Sequence, residues 1–151
     1  MVLLPEFDFA VAAPPMRQRV VDEIANLLEP VAPGHVHVWR VTPFSEAELP
    51  AIEIRDVVLT ERDRLSAIRW RYALAVDLAV TASGGSAHSA VRALMDSALA
   101  ALFASPTLLA LVEGLSLSED EPGAMAVEHE GRRIAAETRR VLVTWIGVRD
   151  E

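Results

Sequence analysis

His35 and His37 stand two apart in a stretch that alternates like a strand, so they share a face and could offer a metal two imidazoles. A metal site needs three or four donors in fixed geometry. The remaining candidates, His88, His129 and carboxylates such as Glu128, lie at no spacing that completes a set. The sequence contains no cysteine, which removes thiolate chemistry, thiolate metal sites and disulfides together. Ser83 sits in T-A-S-G-G rather than in a G-x-S-x-G nucleophile elbow. Gly84-Gly85 falls between a strand pattern and a helix pattern but lacks the phosphate-loop spacings, so it reads as a turn. Carboxylates are plentiful, yet spacing singles out no acid–base pair. The expectation is a chain with no catalytic, cofactor-binding or metal-binding residues, and not an enzyme.

Composition narrows the partners. The 151 residues fit one domain large enough for a real core. Hydrophobic types make up 52% of them, mostly alanine, leucine and valine, which suits either a tight globule or one that keeps apolar surface for a partner. A net charge of −8 argues against broad nucleic-acid binding and against a polybasic membrane contact. The longest uncharged stretch, residues 97–112, is broken by Pro106 and too short to span a bilayer. Glu6, Asp8 and the lack of a basic leader argue against a secretory signal. Charge is unevenly placed. Arg55, Arg62, Arg64, Arg69 and Arg71 crowd one stretch and Arg132, Arg133, Arg139 and Arg140 another, while Glu119, Asp120 and Glu121 form an acidic run. Such patches are either solvated faces or the two halves of a head-to-tail contact.

The elements that must position these residues follow from periodicity. Residues 1–15 form an apolar arm expected to pack on its own domain or a neighbour, and 16–151 a single domain. Residues 16–29 read as a helix, with Val20, Val21, Ile24, Leu27 and Leu28 on one face. His35–Val41 and a segment opening at Pro50, with Ile52, Ile54 and Val57, read as strands, joined by an acidic loop over 42–48. Residues 60–66 read as a polar turn. Residues 67–82 alternate strictly, with Ile68, Trp70, Tyr72, Leu74, Val76, Leu78 and Val80 on one face and Arg69 and Arg71 on the other. Ser86 is the expected N-cap of a helix reaching Phe103. Pro106 opens a second helical piece that Gly114 is expected to stop. A short strand over 115–118, an acidic turn over 119–123, and a hairpin of 125–130 with 132–148 complete the chain. The last strand is apolar on both faces over 141–148, the mark of a doubly covered central strand. Trp39, Trp70 and Trp145 fall on three strands as core or sheet-face residues, and one of them could line an interface. Strands in runs with segregated helices give an α+β class. The expected form is a mixed or antiparallel sheet of four to six strands with two main helices on one face.

The ordered series resembles the tail-terminator (minor tail protein U-like) family of long-tailed bacteriophages and prophages. The likeness runs over residues 16–149: the helix from Arg17 to Leu28, then H-V-W-R-V at 37–41 and E-L-P-A-I-E-I at 48–54. W-R-Y-A-L-A-V-D-L-A-V at 70–80 follows, then V-R-A-L-M-D-S-A-L-A-A-L at 91–102, S-P-T-L-L-A-L-V-E-G-L at 105–115 and T-R-R-V-L-V-T-W-I at 138–146. The arm is longer than the family pattern. The resemblance implies a structural virion protein without catalytic residues, made in the bacterial host cytoplasm and found in the virion tail. It implies a homo-hexameric ring that caps the tail tube, ends polymerisation, and meets the major tail tube protein on one side and a head-completion or connector protein on the other. Exposure and charge nominate Phe44, Glu46, Glu48, Arg62, Arg64, Arg69, Arg71, Glu119, Asp120 and Glu121 as interface residues. Another neck or tail-completion subunit would share this architecture. A small-molecule-binding α+β domain would instead show a pocket with convergent polar groups.

Overall fold

A computed structural model describes residues 15–40, 43–118, 123–129 and 132–148. The expected N-terminal arm and the acidic residues Glu119, Asp120 and Glu121 lie outside the described residues. The strictly alternating segment forms β3 (Arg69–Ser83), the long centre of the sheet. Tyr72, Leu74, Val76, Leu78, Val80 and Ala82 point to one face, and all are buried. β3 pairs antiparallel with β2 (Ala51–Arg64) on one side and with β6 (Arg132–Val148) on the other. β1 (Val36–Val38) runs parallel to β2. β4 (Gly114–Leu117) and β5 (Gly123–His129) both pair antiparallel with β6. The result is a six-stranded mixed sheet in an α+β fold, with its main path β1-β2-β3-β6-β4.

The helices cover one face. α1 (Met16–Leu28) buries Val20, Val21, Ile24 and Leu28, a single stripe of the 3.6-residue period. α2 (Ala87–Phe103) buries Ala87, Val91, Met95, Ala98 and Leu102 in the same way. These stripes meet the even-numbered face of β3, Ile52 and Ile54 of β2, and Val141, Val143 and Trp145 of β6 in one core. Each fully buried leucine or isoleucine there contributes roughly 1.5–3 kcal/mol relative to exposure. Tyr72 and Trp145 face each other across the β3–β6 ladder with ring centroids 6.0 Å apart. The short α3 (Pro106–Leu111) starts as its sequence dictates. Proline occupies the first turn, and the Ser105 hydroxyl accepts the Leu108 N–H at 3.1 Å.

Several sequence expectations are corrected. Residues 60–64 are strand, not turn: β2 continues to Arg64, and the reversal occupies 65–68. Ile68 is therefore in the turn and 61% exposed instead of sharing the buried face. Ser86 takes the N-cap position of α2 as expected, but its side chain makes no cap bond. Gly114 does not stop α3, which ends before Val112. It begins β4, where a Cβ would lie 2.7 Å from Thr144 Oγ1, so close strand approach explains the glycine. β6 is central in pairing yet covered on one face only, since Ile146 and Val148 are exposed. β1 ends at Val38, because Trp39 takes a left-handed φ of 51° that breaks the strand.

Candidate assembly surface

β2 is anchored at its start and bare at its end. At the start, β1 pairs with Ile52, Glu53 and Ile54, and the Trp39 N–H donates to the Ile54 carbonyl at 3.0 Å. Next comes a side-chain anchor: the carboxylate of Asp56 accepts from Arg17 Nε and from the Trp39 indole N–H. Burial opposes ionisation of Asp56, but these two donors outweigh it and hold the carboxyl below its usual range. Trp39, expected in the core or on a sheet face, is half-exposed and serves as this clamp.

Beyond Asp56 the β2 limb of the hairpin is exposed, while its β3 partners Tyr72 and Leu74 remain in the core. Register shifts between Asp56 and Val58 and between Glu61 and Asp63 kink the strand and change which side chains share a face. Val57, Val58 (48% exposed) and Leu59 follow one another in the open, and Leu65 and Ile68 are exposed in the turn. Ile146 and Val148 of β6 pair with Arg71 and Arg69, so their exposed side chains belong to the same end of the sheet. Among the described residues, no strand pairs with the outer edge of β2 from Arg55 to Arg64.

The nominated residues separate into two groups at opposite ends of β2, roughly 40 Å apart at ~3.3 Å per residue. Phe44, Glu46 and Glu48 belong to the loop before β2; Glu46 is exposed, whereas Phe44 and Glu48 are engaged within the loop. Glu48 holds Arg40 through both carboxylate oxygens and closes a capping box with Ser45 around a short 3-10 turn, Glu46–Glu48. Those bonds, the Arg40 pair foremost, lower its pKa to about 2. Arg40 also lies over the Phe44 ring at 4.8 Å, and His37 packs on the same ring at 5.0 Å. His35 Nδ1 lies 2.7 Å from the Glu48 carbonyl oxygen, so the two histidines take different partners. Among the described residues, no group of three or more histidines and carboxylates is placed to hold a metal ion.

Arg62, Arg64, Arg69 and Arg71 lie together at the hairpin end. The first three are exposed; Arg71 is half-buried. Its guanidinium donates to both oxygens of Glu113, at 2.6 and 2.9 Å, and to Asp63 at 3.1 Å. These bonds raise the arginine pKa and lower that of Glu113. Glu113 and Asp63 escaped sequence reasoning as partners. Glu113 is 42 residues away, and no local spacing signals it.

The face of the sheet opposite the helices carries a second polar system. Arg140 donates to both oxygens of its cross-strand neighbour Asp77, at 2.7 and 3.1 Å. Arg55 donates to Glu53, which is only 6% exposed and whose Oε2 has no hydrogen-bond partner among the described residues. Arg55 lies directly across from Asp77, and Ala79 across from Glu53, while Ala73 and Ala75 continue the same face of β3. No protein-family model matches the sequence, and no curated protein matches it.

Proposed function

We propose that this chain is a non-catalytic structural subunit of a long-tailed phage or prophage. It closes with copies of itself into a ring on the tail tube, ends polymerisation of the major tail tube protein, and offers its outer face to a head-completion or connector protein. A homo-hexamer is the form that the family resemblance implies. The observation that carries the reading is a concentration of exposed apolar side chains toward the hairpin end, although Val38, Trp39, Phe103 and Leu109 are exposed elsewhere. Val57, Val58, Leu59, Leu65, Ile68, Ile146 and Val148 gather at one end of the sheet, away from the helix-covered core. Apolar surface gathered in this way marks a protein contact. The order of helices and strands has the α+β form expected from the sequence periodicity.

The physical mechanism is a mismatch of surfaces. A ring subunit whose lower face fits the tube end, and whose upper face does not repeat it, leaves the next tube subunit without a seat. Adding the purified chain to polymerising tube protein tests this. Elongation halts at an amount of chain far below that of tube protein, because only tube ends are capped. Unchanged tube lengths at equal concentrations contradict it.

A further inference from the structure

We propose that residues 1–14 of this chain return as a strand along the outer edge of β2, antiparallel to it, and close that edge between Asp56 and Arg64. The contact does not depend on the tail reading. Its seat is located by its neighbours. β1 pairs with this edge from Ile52 to Ile54, and past that point no strand pairs with it among the described residues. Val57, Val58 and Leu59 follow there in the open. An uncovered apolar edge invites unwanted growth of the sheet. A strand laid on it satisfies the main chain and removes apolar surface from water together.

Three observations name the occupant. The first is where the chain enters α1. Pro15 is extended, with φ −56° and ψ 152°, and the helix starts on the next residue. Arg17 donates to the carboxylate of Asp56 and, at 3.3 Å, to its main-chain carbonyl. The chain therefore enters α1 beside Asp56, where the paired part of the edge ends, and a segment laid back from there runs antiparallel to β2. The second is length. Fourteen extended residues span up to ~46 Å, and the stretch from Asp56 to Arg64 needs about 26 Å. The third is pattern. Glu6, Asp8 and Ala10 alternate with Phe7, Phe9 and Val11, the period of a half-buried strand. Asp8 lies seven residues before Pro15 and Arg62 six after Asp56; Glu6 lies nine before and Arg64 eight after. With Pro15 at Asp56, each acid thus falls within about one position of an exposed arginine, close enough for a cross-strand pair. Pro5 has no N–H to give a further strand, so the arm suits an edge position and ends the sheet there.

The absence of cysteine from the chain makes disulfide trapping a direct test. Ala10→Cys is combined in the full chain with Leu59→Cys, with Thr60→Cys and, as a control, with Ser116→Cys on β4 at the other side of the sheet. Leu59 and Thr60 are successive strand residues with side chains on opposite faces, so one of them shares a face with Ala10. That pair closes a disulfide within one chain about tenfold faster than the control under mild oxidation, because the docked arm raises the effective concentration of its thiol. Hydrogen exchange supplies a second readout. In the parent, the amides between Val57 and Arg64 that do not serve the β3 ladder exchange slowly. Phe7→Asp together with Phe9→Asp speeds them and leaves β3 protected. Closure at the control rate in both pairs overturns the proposal. So do disulfides that join two chains in place of one, or exchange at those amides that the double aspartate variant does not change.

Discussion

Arg71 on β3 grips Glu113 at the threshold of β4 through two parallel N–H···O bonds, and its third contact reaches Asp63 across the hairpin. One guanidinium thus ties the hairpin, close to its turn, to the residue before the strand on the far side of β6. Bidentate arginine–carboxylate pairs are the more specific and stronger kind of surface ion pair.

Arg69 and Arg71 share a sheet face and differ in role, so charge reversal separates them. Arg69→Glu leaves thermal unfolding unchanged, because that side chain is exposed. Arg71→Glu brings a third carboxylate beside Asp63 and Glu113 and lowers the melting temperature. Calorimetry of the two single variants checks the contrast; equal melting temperatures would deny Arg71 its structural role.

Acid should loosen the loop before β2. Glu48 in the folded chain titrates at about 2 against an ordinary value of 4.5, chiefly through its bond to Arg40. A carboxyl whose folded pKa is lowered contributes stability that is complete above its unfolded value and is lost as pH falls toward the folded one. Glu113 and Asp56 are shifted in the same direction. The melting temperature therefore declines from about pH 5 toward pH 2, and Glu48→Gln flattens part of that decline. A variant with the parent's full slope would show that Glu48 is not among the linked groups.

Gly114→Ala forces a methyl group against Thr144 Oγ1. Overpacking of this kind costs roughly 1–3 kcal/mol. Thr144→Ala removes the obstructing oxygen, so the double variant recovers stability relative to Gly114→Ala alone. Additive losses in denaturant melts would rule out the steric explanation.

How far the sequence discloses the molecule depends on which solvent each residue meets. β3 is legible because helices cover one face along most of its length, which enforces alternation from Tyr72 to Ala82. Residues 60–64 look like a turn because the β2 limb of the hairpin is exposed there, unlike its β3 partners, and nothing selects an apolar period. The apolar run of β6 was misleading for the converse reason: Ile146 and Val148 are apolar and exposed instead of buried under a second layer. Gly114 fits a helix stop by local rules, and only the approach of Thr144, thirty positions later, gives its actual reason. At the candidate surface the arginine cluster is visible as composition. The division between an engaged Arg71 and an exposed Arg69 depends on Glu113, which folding alone brings near.

The most direct test of a ring that ends tail growth is electron microscopy of particles produced by the parental phage or prophage with this gene deleted. The account predicts tubes well beyond normal length, without heads. Headless tubes of normal length would contradict it and assign the chain to a later joining step.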